Sequence, residues 1–153
     1  MRIQAIRRVQ KDEGSTLIEF SLVAFMFIIV LAGVVEMGRM VLVYTTVANA
    51  ARAGARYAIV HGGDRTGSGV NGPSGPGSPC TCTQITTVVT NFASAGLVDT
   101  TRLTVTVGYP NGSNAAGKAV TVTVSYPYDP LIPYFSTILN TTMGSTSKGI
   151  ITF

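Results

Sequence analysis

The sequence predicts an α+β chain: a long N-terminal transmembrane and stem helix, then a small head with an antiparallel sheet and short helices. Three observations carry this. Leu17–Val35 reads LIEFSLVAFMFIIVLAGVV, nineteen residues with one charge, Glu19. The helical pattern then continues to about Val60, with no proline in residues 1–72. Finally, residues 103–109 and 120–126 alternate apolar with Thr, Ser or Gly at the period of a strand.

Composition narrows the function classes. The 153 residues carry 11 Lys or Arg and 7 Asp or Glu, a formal net charge of +4. Charged residues make up 12% of the chain, against about 25% in an average soluble protein. The excess is therefore no Lys/Arg stripe, and nucleic acid is not an expected partner. A hydrophobic content of 46% excludes disorder over most of the chain. Two cysteines, one histidine and no tryptophan leave little for catalysis. Cys80 and Cys82 form a lone C-T-C, so Cys and His cannot assemble a four-ligand zinc site. His61 has no nucleophile motif beside it, and the chain has no P-loop or dinucleotide fingerprint. No enzyme activity, cofactor or metal is expected.

The elements follow in order. Residues 1–14 form a charged leader with Arg2, Arg7, Arg8 and Lys11 against Asp12 and Glu13. Residues 15–61 form the helix, which starts near Thr16. Its apolar part, about 17–35, spans about 28 Å, roughly the hydrocarbon core of a bilayer. It is longer than the usual apolar stretch of a cleavable secretory signal, and no cleavage-site loop follows. The stem, 36–61, places Val43, Val47 and Ala51 on one face and Arg52 and Arg56 on another. Glu36 and Arg39, three apart at the membrane edge, are read as a snorkelling ion pair.

The junction reads Lys11-Asp12-Glu13-Gly14-Ser15-Thr16-Leu17-Ile18-Glu19-Phe20. A charged leader ending in Gly, with Glu at the fifth residue beyond it, resembles the class III signal of type IV pilins and pseudopilins. Further on come Glu36-Met37-Gly38-Arg39, Tyr44 and Asn49-Ala50-Ala51-Arg52-Ala53-Gly54-Ala55-Arg56-Tyr57-Ala58. Together these resemble the TadE-like family of the tight-adherence (Tad/Flp) pilus system, over about residues 14–58. The resemblance implies processing by a prepilin peptidase between Gly14 and Ser15. It implies assembly with other pilin-like subunits or with itself through the N-terminal helix, served by the pilus assembly machinery. It also implies a role in adhesion. Ser15 differs from the Phe or Met commonest at the first mature position of major pilins, which favours a minor subunit. Two roles fit Glu19. Thr16-Leu17-Ile18-Glu19 has the form of a capping box. On the pilin reading Glu19 instead compensates the new Ser15 amine of a neighbouring subunit.

Beyond the helix, residues 62–82 form a loop, with 13 of residues 62–79 being Gly, Ser or Pro. Cys80 and Cys82 would close only a very small loop if oxidised; free or intermolecular thiols are the alternative. Residues 83–153 form the head. Thr83–Ala95 predicts a short helix burying Ile85, Val88, Val89 and Phe92. The alternating runs predict an antiparallel hairpin with one apolar and one Thr-rich face. Asp129-Pro130 is a candidate start for a helix carrying Leu131, Ile132, Phe135 and Leu139, and Ile150–Phe153 for an edge strand. Only seven charges fall in residues 62–153, which suits an extracytoplasmic head. The expected topology is a single pass through the cytoplasmic membrane with the leader inside. Function is read as a minor pilin or pseudopilin. A major filament subunit, a surface-binding adhesin and a non-polymerising membrane accessory protein are the alternatives.

Overall fold

Helix α1 (Ile3–Val60) is one uninterrupted element of 58 residues, about 87 Å at 1.5 Å per residue. The computed structural model describes residues 3–63, 82–132, 136 and 140–152, with the backbone alone for residues 3–13. The helix begins thirteen residues before its expected start at Thr16. Residues 3–13 contain Gln, Ala, Arg and Lys, all good helix formers, and no proline. Gly14 alone costs about 1 kcal/mol, too little to stop the helix.

The chain divides into two compact units, Met1–Gly38 and Arg39–Phe153. Within the first, the apolar run is bare: the large side chains from Leu17 to Val35 are exposed. Its one hydroxyl is satisfied locally, Ser21 Oγ donating to the Ile18 carbonyl at 2.8 Å.

The second unit contains the rest of α1, then α2 (Thr83–Ala93), a 3-10 turn (Thr100–Arg102), β1 (Thr104–Gly108), β2 (Ala119–Pro127) and β3 (Thr142–Ile150). The strands form an antiparallel sheet in the order β1-β2-β3. Val105 pairs with Val124 and Val107 with Val122, so the hairpin has the expected register of apolar against apolar. Val107, Val120, Val122, Val124 and Tyr126 face inward. They share a core with Val43, Val47, Ala50, Ala51, Ala55 and Ala58 of α1 and with Ile85, Val89 and Ala93 of α2. The stem face expected from Val43, Val47 and Ala51 is buried, and Arg52 and Arg56 are exposed.

Gly54 lies where the three layers meet. A Cβ built there would stand 2.5 Å from Val89 Cγ2 and 3.1 Å from Val122 Cγ1. The stem thus approaches both α2 and the sheet through a position that has no side chain. Gly149 plays the same part on β3, where a Cβ would run into Ile59.

These contacts orient the sheet along the stem. At one end, Gly96 backs onto Thr46 and the Arg39 guanidinium lies over the Tyr128 ring. At the other, the Thr152 amide donates to the Ile59 carbonyl at 2.9 Å.

Three expectations need correction. The third strand is β3, not Ile150–Phe153; Ile150 is only its last residue. On α2 the buried set is Ile85, Val89 and Ala93, whereas Phe92 is exposed. Its C-terminal turn rotates the larger ring outward and presents Ala93 to the crowded interior. Among the described residues of the candidate helix, Asp129 and Pro130 have no regular structure and Leu131 and Ile132 form bends. Arg102 holds Asp129 in an ion pair of 3.2 Å there, and Pro133 disfavours helical geometry at the residue before it. Phe135 and Leu139 lie outside the described residues, as do Cys80 and most of the Gly/Ser/Pro loop.

Candidate assembly interface

The residues singled out by the sequence fall on one helix. Gly14 and Ser15 are exposed within α1, so the bond between them is part of the helix. Glu19 is exposed one turn further on. Thr16 is not a helix N-cap, because α1 runs through it from Ile3. The capping box therefore has no helix end to cap in the full-length chain.

Fourteen large apolar side chains between Leu17 and Val35 are exposed by roughly half or more. Counting about 1 kcal/mol apiece, half or less of the full-burial value, leaves about 14 kcal/mol of unrealised apolar burial. That equals the whole stability of a typical domain, about 5–15 kcal/mol. Such a surface requires a lipid or protein environment. The helix is long and apolar enough to cross a membrane.

Small residues divide into two groups. Ala51 and Ala55 are buried against the protein's own α2 and sheet and are unavailable to another helix. Gly33 and Gly38 have nothing within 4 Å of a built Cβ, so close approach by a second helix remains open there.

Both members of the expected snorkelling pair, Glu36 and Arg39, lie at least partly buried. Glu36 is only 2% exposed. Arg39 is half-buried, its guanidinium carbon 5.8 Å from the centre of the Tyr128 ring. A planar cation stacks on a tyrosine face more favourably than it extends into an apolar surrounding. Sequence reasoning missed Tyr128 because its only signal was the continued alternation Val122, Val124, Tyr126, Tyr128 past a proline.

Cys82 is disulfide-bonded and buried at the start of α2, its sulfur 3.9 Å from the Tyr109 hydroxyl. The chain's other cysteine, Cys80, lies outside the described residues. His61 ends the stem quietly, stacked on Tyr57 with ring centres 3.8 Å apart and Nδ1 2.9 Å from the Tyr57 carbonyl.

No curated protein and no solved structure matches the chain. One family model does, and the residues it matches are those of the apolar helix and the buried stem: over residues 14–56 the chain is similar to the family described as TadE-like protein.

Proposed function

We propose that this chain is a minor pilin or pseudopilin of a Tad/Flp-type pilus, anchored by α1 with the leader in the cytoplasm and the head outside. A prepilin peptidase cuts between Gly14 and Ser15. The exposed apolar helix then leaves the bilayer to pack among the helices of other pilin-like subunits, supporting pilus biogenesis and adhesion. The protein does no catalysis on this reading.

One observation carries the proposal. The TadE-like match covers a helix whose first half is bare while its second half forms the core of the head. Transfer from lipid to a helix bundle is nearly neutral in hydrophobic terms, so packing and polar groups must select the partners. Glu19 and Gly38, both exposed, and the half-exposed Gly33, with nothing within 4 Å of a built Cβ, are the groups available for that purpose. The size of the head argues against a major subunit of the very short Flp type. An adhesin remains the second reading, favoured by the outer sheet face, where Thr104, Thr106, Thr123 and Thr146 present hydroxyls.

The test joins the mature N-terminus to assembly. Mass spectrometry of the protein from cells containing the peptidase should find a chain beginning at Ser15. In a strain lacking this protein, Glu19→Gln should insert at normal membrane levels yet fail to restore pili. An intact Met1 terminus, or full piliation by Glu19→Gln, refutes the assembly mechanism.

A further inference from the structure

Strand β3 has an open edge. The β2–β3 ladder is bounded by hydrogen bonds from the Tyr128 amide to the Thr141 carbonyl and from the Ile151 amide to the Lys118 carbonyl, both 2.9 Å. Alternation between these ends turns the odd-numbered residues of β3 towards β2. The amides and carbonyls of Thr142, Gly144, Thr146, Lys148 and Ile150 point the other way. Among the described residues no hydrogen bond satisfies them. All five residues are exposed, Ile150 by 64%.

Proteins ordinarily blunt such an edge with a proline, a bulge, several charges or a short strand. β3 uses none of these. Its nine residues contain no proline and one charge, Lys148. Their register with β2 runs unbroken from Thr142 to Ile150. The opposite edge of the sheet, β1, has only five residues and lies beside α2. On its inner side the β3 edge carries Ser145, Ser147 and Gly149, too small to obstruct an approaching strand.

We propose that this edge recognises a second copy of the chain, whose own β3 adds antiparallel and joins the two three-stranded sheets into one. The residue pattern selects that occupant and its register. The five open residues are symmetric about Thr146. A two-fold pairing centred there sets Thr142 against Ile150, Gly144 against Lys148 and Thr146 against its equivalent, and satisfies every open amide and carbonyl. The single charge then meets a glycine. The two copies of Lys148 stand about 13 Å apart, four residues of rise along the strand, beyond the Debye length of about 8 Å. A pairing centred on Lys148, or a parallel one in register, would set like charges opposite each other. One centred on Gly144 would carry Lys148 and Ile150 past the start of the second strand. The outer face favours the same register. Thr106 pairs with Thr123 and Thr123 with Thr146, the last two hydroxyls 2.9 Å apart. This row stops at the open edge, and Thr146 of a second copy extends it; cross-strand threonine pairs stabilise a sheet. Arg39 lies over Tyr128, beside the start of β3, and Ile59 lies against Gly149 near its end. The stem from Arg39 to Val60 therefore runs in the same direction as β3. In the pair the two stems run in opposite directions, so the contact is distinct from the helix packing proposed above and does not rest on it.

The experiment uses the full chain solubilised in detergent. The chain's two cysteines leave no free thiol, so a cysteine introduced on β3 is the only reactive one. Under mild oxidation Thr146→Cys should link to itself, because hydrogen-bonded cross-strand Cα atoms lie about 5.5 Å apart, within disulfide reach. Gly144→Cys and Lys148→Cys should each stay monomeric alone and link when mixed. No species larger than a dimer should form. Thr146→Pro, added to both members of that mixture, removes only an edge amide and leaves the β2 ladder whole. Linking should then disappear while the circular dichroism stays unchanged; should that variant fail to fold, the cysteine pattern alone decides. Lys148→Cys linking to itself as fast as to Gly144→Cys overturns the antiparallel register. Equal linking by all three single variants that ceases on dilution with detergent reports chains sharing a micelle and overturns the edge contact. Absence of any linked dimer overturns it equally.

Discussion

Gly54→Ala isolates the packing that joins the stem to the head. In a solvent-exposed helix this substitution stabilises by about 0.8–1 kcal/mol, because alanine is the better helix former. Here the added methyl lands 2.5 Å from Val89 Cγ2, 3.1 Å from Val122 Cγ1 and 3.4 Å from Ile85 Cγ2. Carbon atoms in good contact are about 3.5–4.0 Å apart, so the first overlap is about 1 Å. All three neighbours are fully buried and β-branched, with stiff χ1 angles, and two of them belong to different elements. Relief requires α2 and β2 to move apart together. Overpacking costs about 1–3 kcal/mol, and three stiff neighbours place this site in the upper part of that range, about 2–3 kcal/mol, leaving a net loss of about 1–2 kcal/mol after the helix gain. Denaturant unfolding of the detergent-solubilised chain, followed by circular dichroism, measures it. Adding Val89→Ala removes the clashing methyl, so the double variant should be more stable than the sum of the two single effects predicts, by about 1 kcal/mol. A Gly54→Ala protein as stable as the parent, or one whose loss is simply additive with Val89→Ala, refutes the interlock.

Two titrations test the head at its opposite ends. Hydrogen bonds from the Thr101 hydroxyl and amide, with help from Arg102, hold the Asp99 carboxyl below its ordinary value of 3.8. Its contribution is complete above that value and is lost as pH falls through the lowered folded-state pKa. Asp99→Asn should flatten the stability profile in that acid window and lower stability at neutral pH. Burial pushes the Tyr109 hydroxyl above its ordinary 10.0, so the folded head keeps its proton longer than the unfolded chain. Stability should therefore fall as pH rises from 10 towards the folded-state pKa, and Tyr109→Phe should remove that decline; an unchanged alkaline profile in the variant refutes it.

Periodicity made the stem face and the hairpin legible, because each buries one repeating set: Val43, Val47 and Ala51 at helical spacing, Val120, Val122 and Val124 at strand spacing. β3 had no such signal. Of its inward positions only Met143 is a large apolar residue; Ser145, Ser147 and Gly149 are small and fit beneath the stem rather than fill space. Gly149 was necessary for contact with Ile59, yet glycine in a run of Ser and Thr reads as a turn. Phe92 misled for a related reason: hydrophobicity ranks it above Ala93, but the helix buries Ala93 and leaves Phe92 exposed. The A-A-R-x-G-A-R element was legible as a family mark, while the reason for its glycine is a three-way contact among residues 54, 89 and 122 that no local pattern contains.

The two roles considered for Glu19 belong to different covalent states of the chain. In the full-length helix, which extends from Ile3 to Val60, there is no free amine at Ser15 and no helix end at Thr16. Neither a cap nor a terminal ion pair can form, and Glu19 is exposed with no hydrogen bond or ion pair among the described residues. A carboxylate at the edge of an apolar run is tolerated there only because water or headgroups still reach it. Removal of residues 1–14 would create both features at once: a helix beginning at Ser15, and a positive amine four residues, about 6 Å of rise, from Glu19. Gln keeps the capping hydrogen bond and loses the charge. A loss of assembly in Glu19→Gln that appears only after cleavage would therefore assign the carboxylate to charge pairing. Under the proposed function it would also give cleavage a physical purpose: cutting would convert an idle side chain into half of an ion pair. A neighbouring helix can complete that pair as readily as its own.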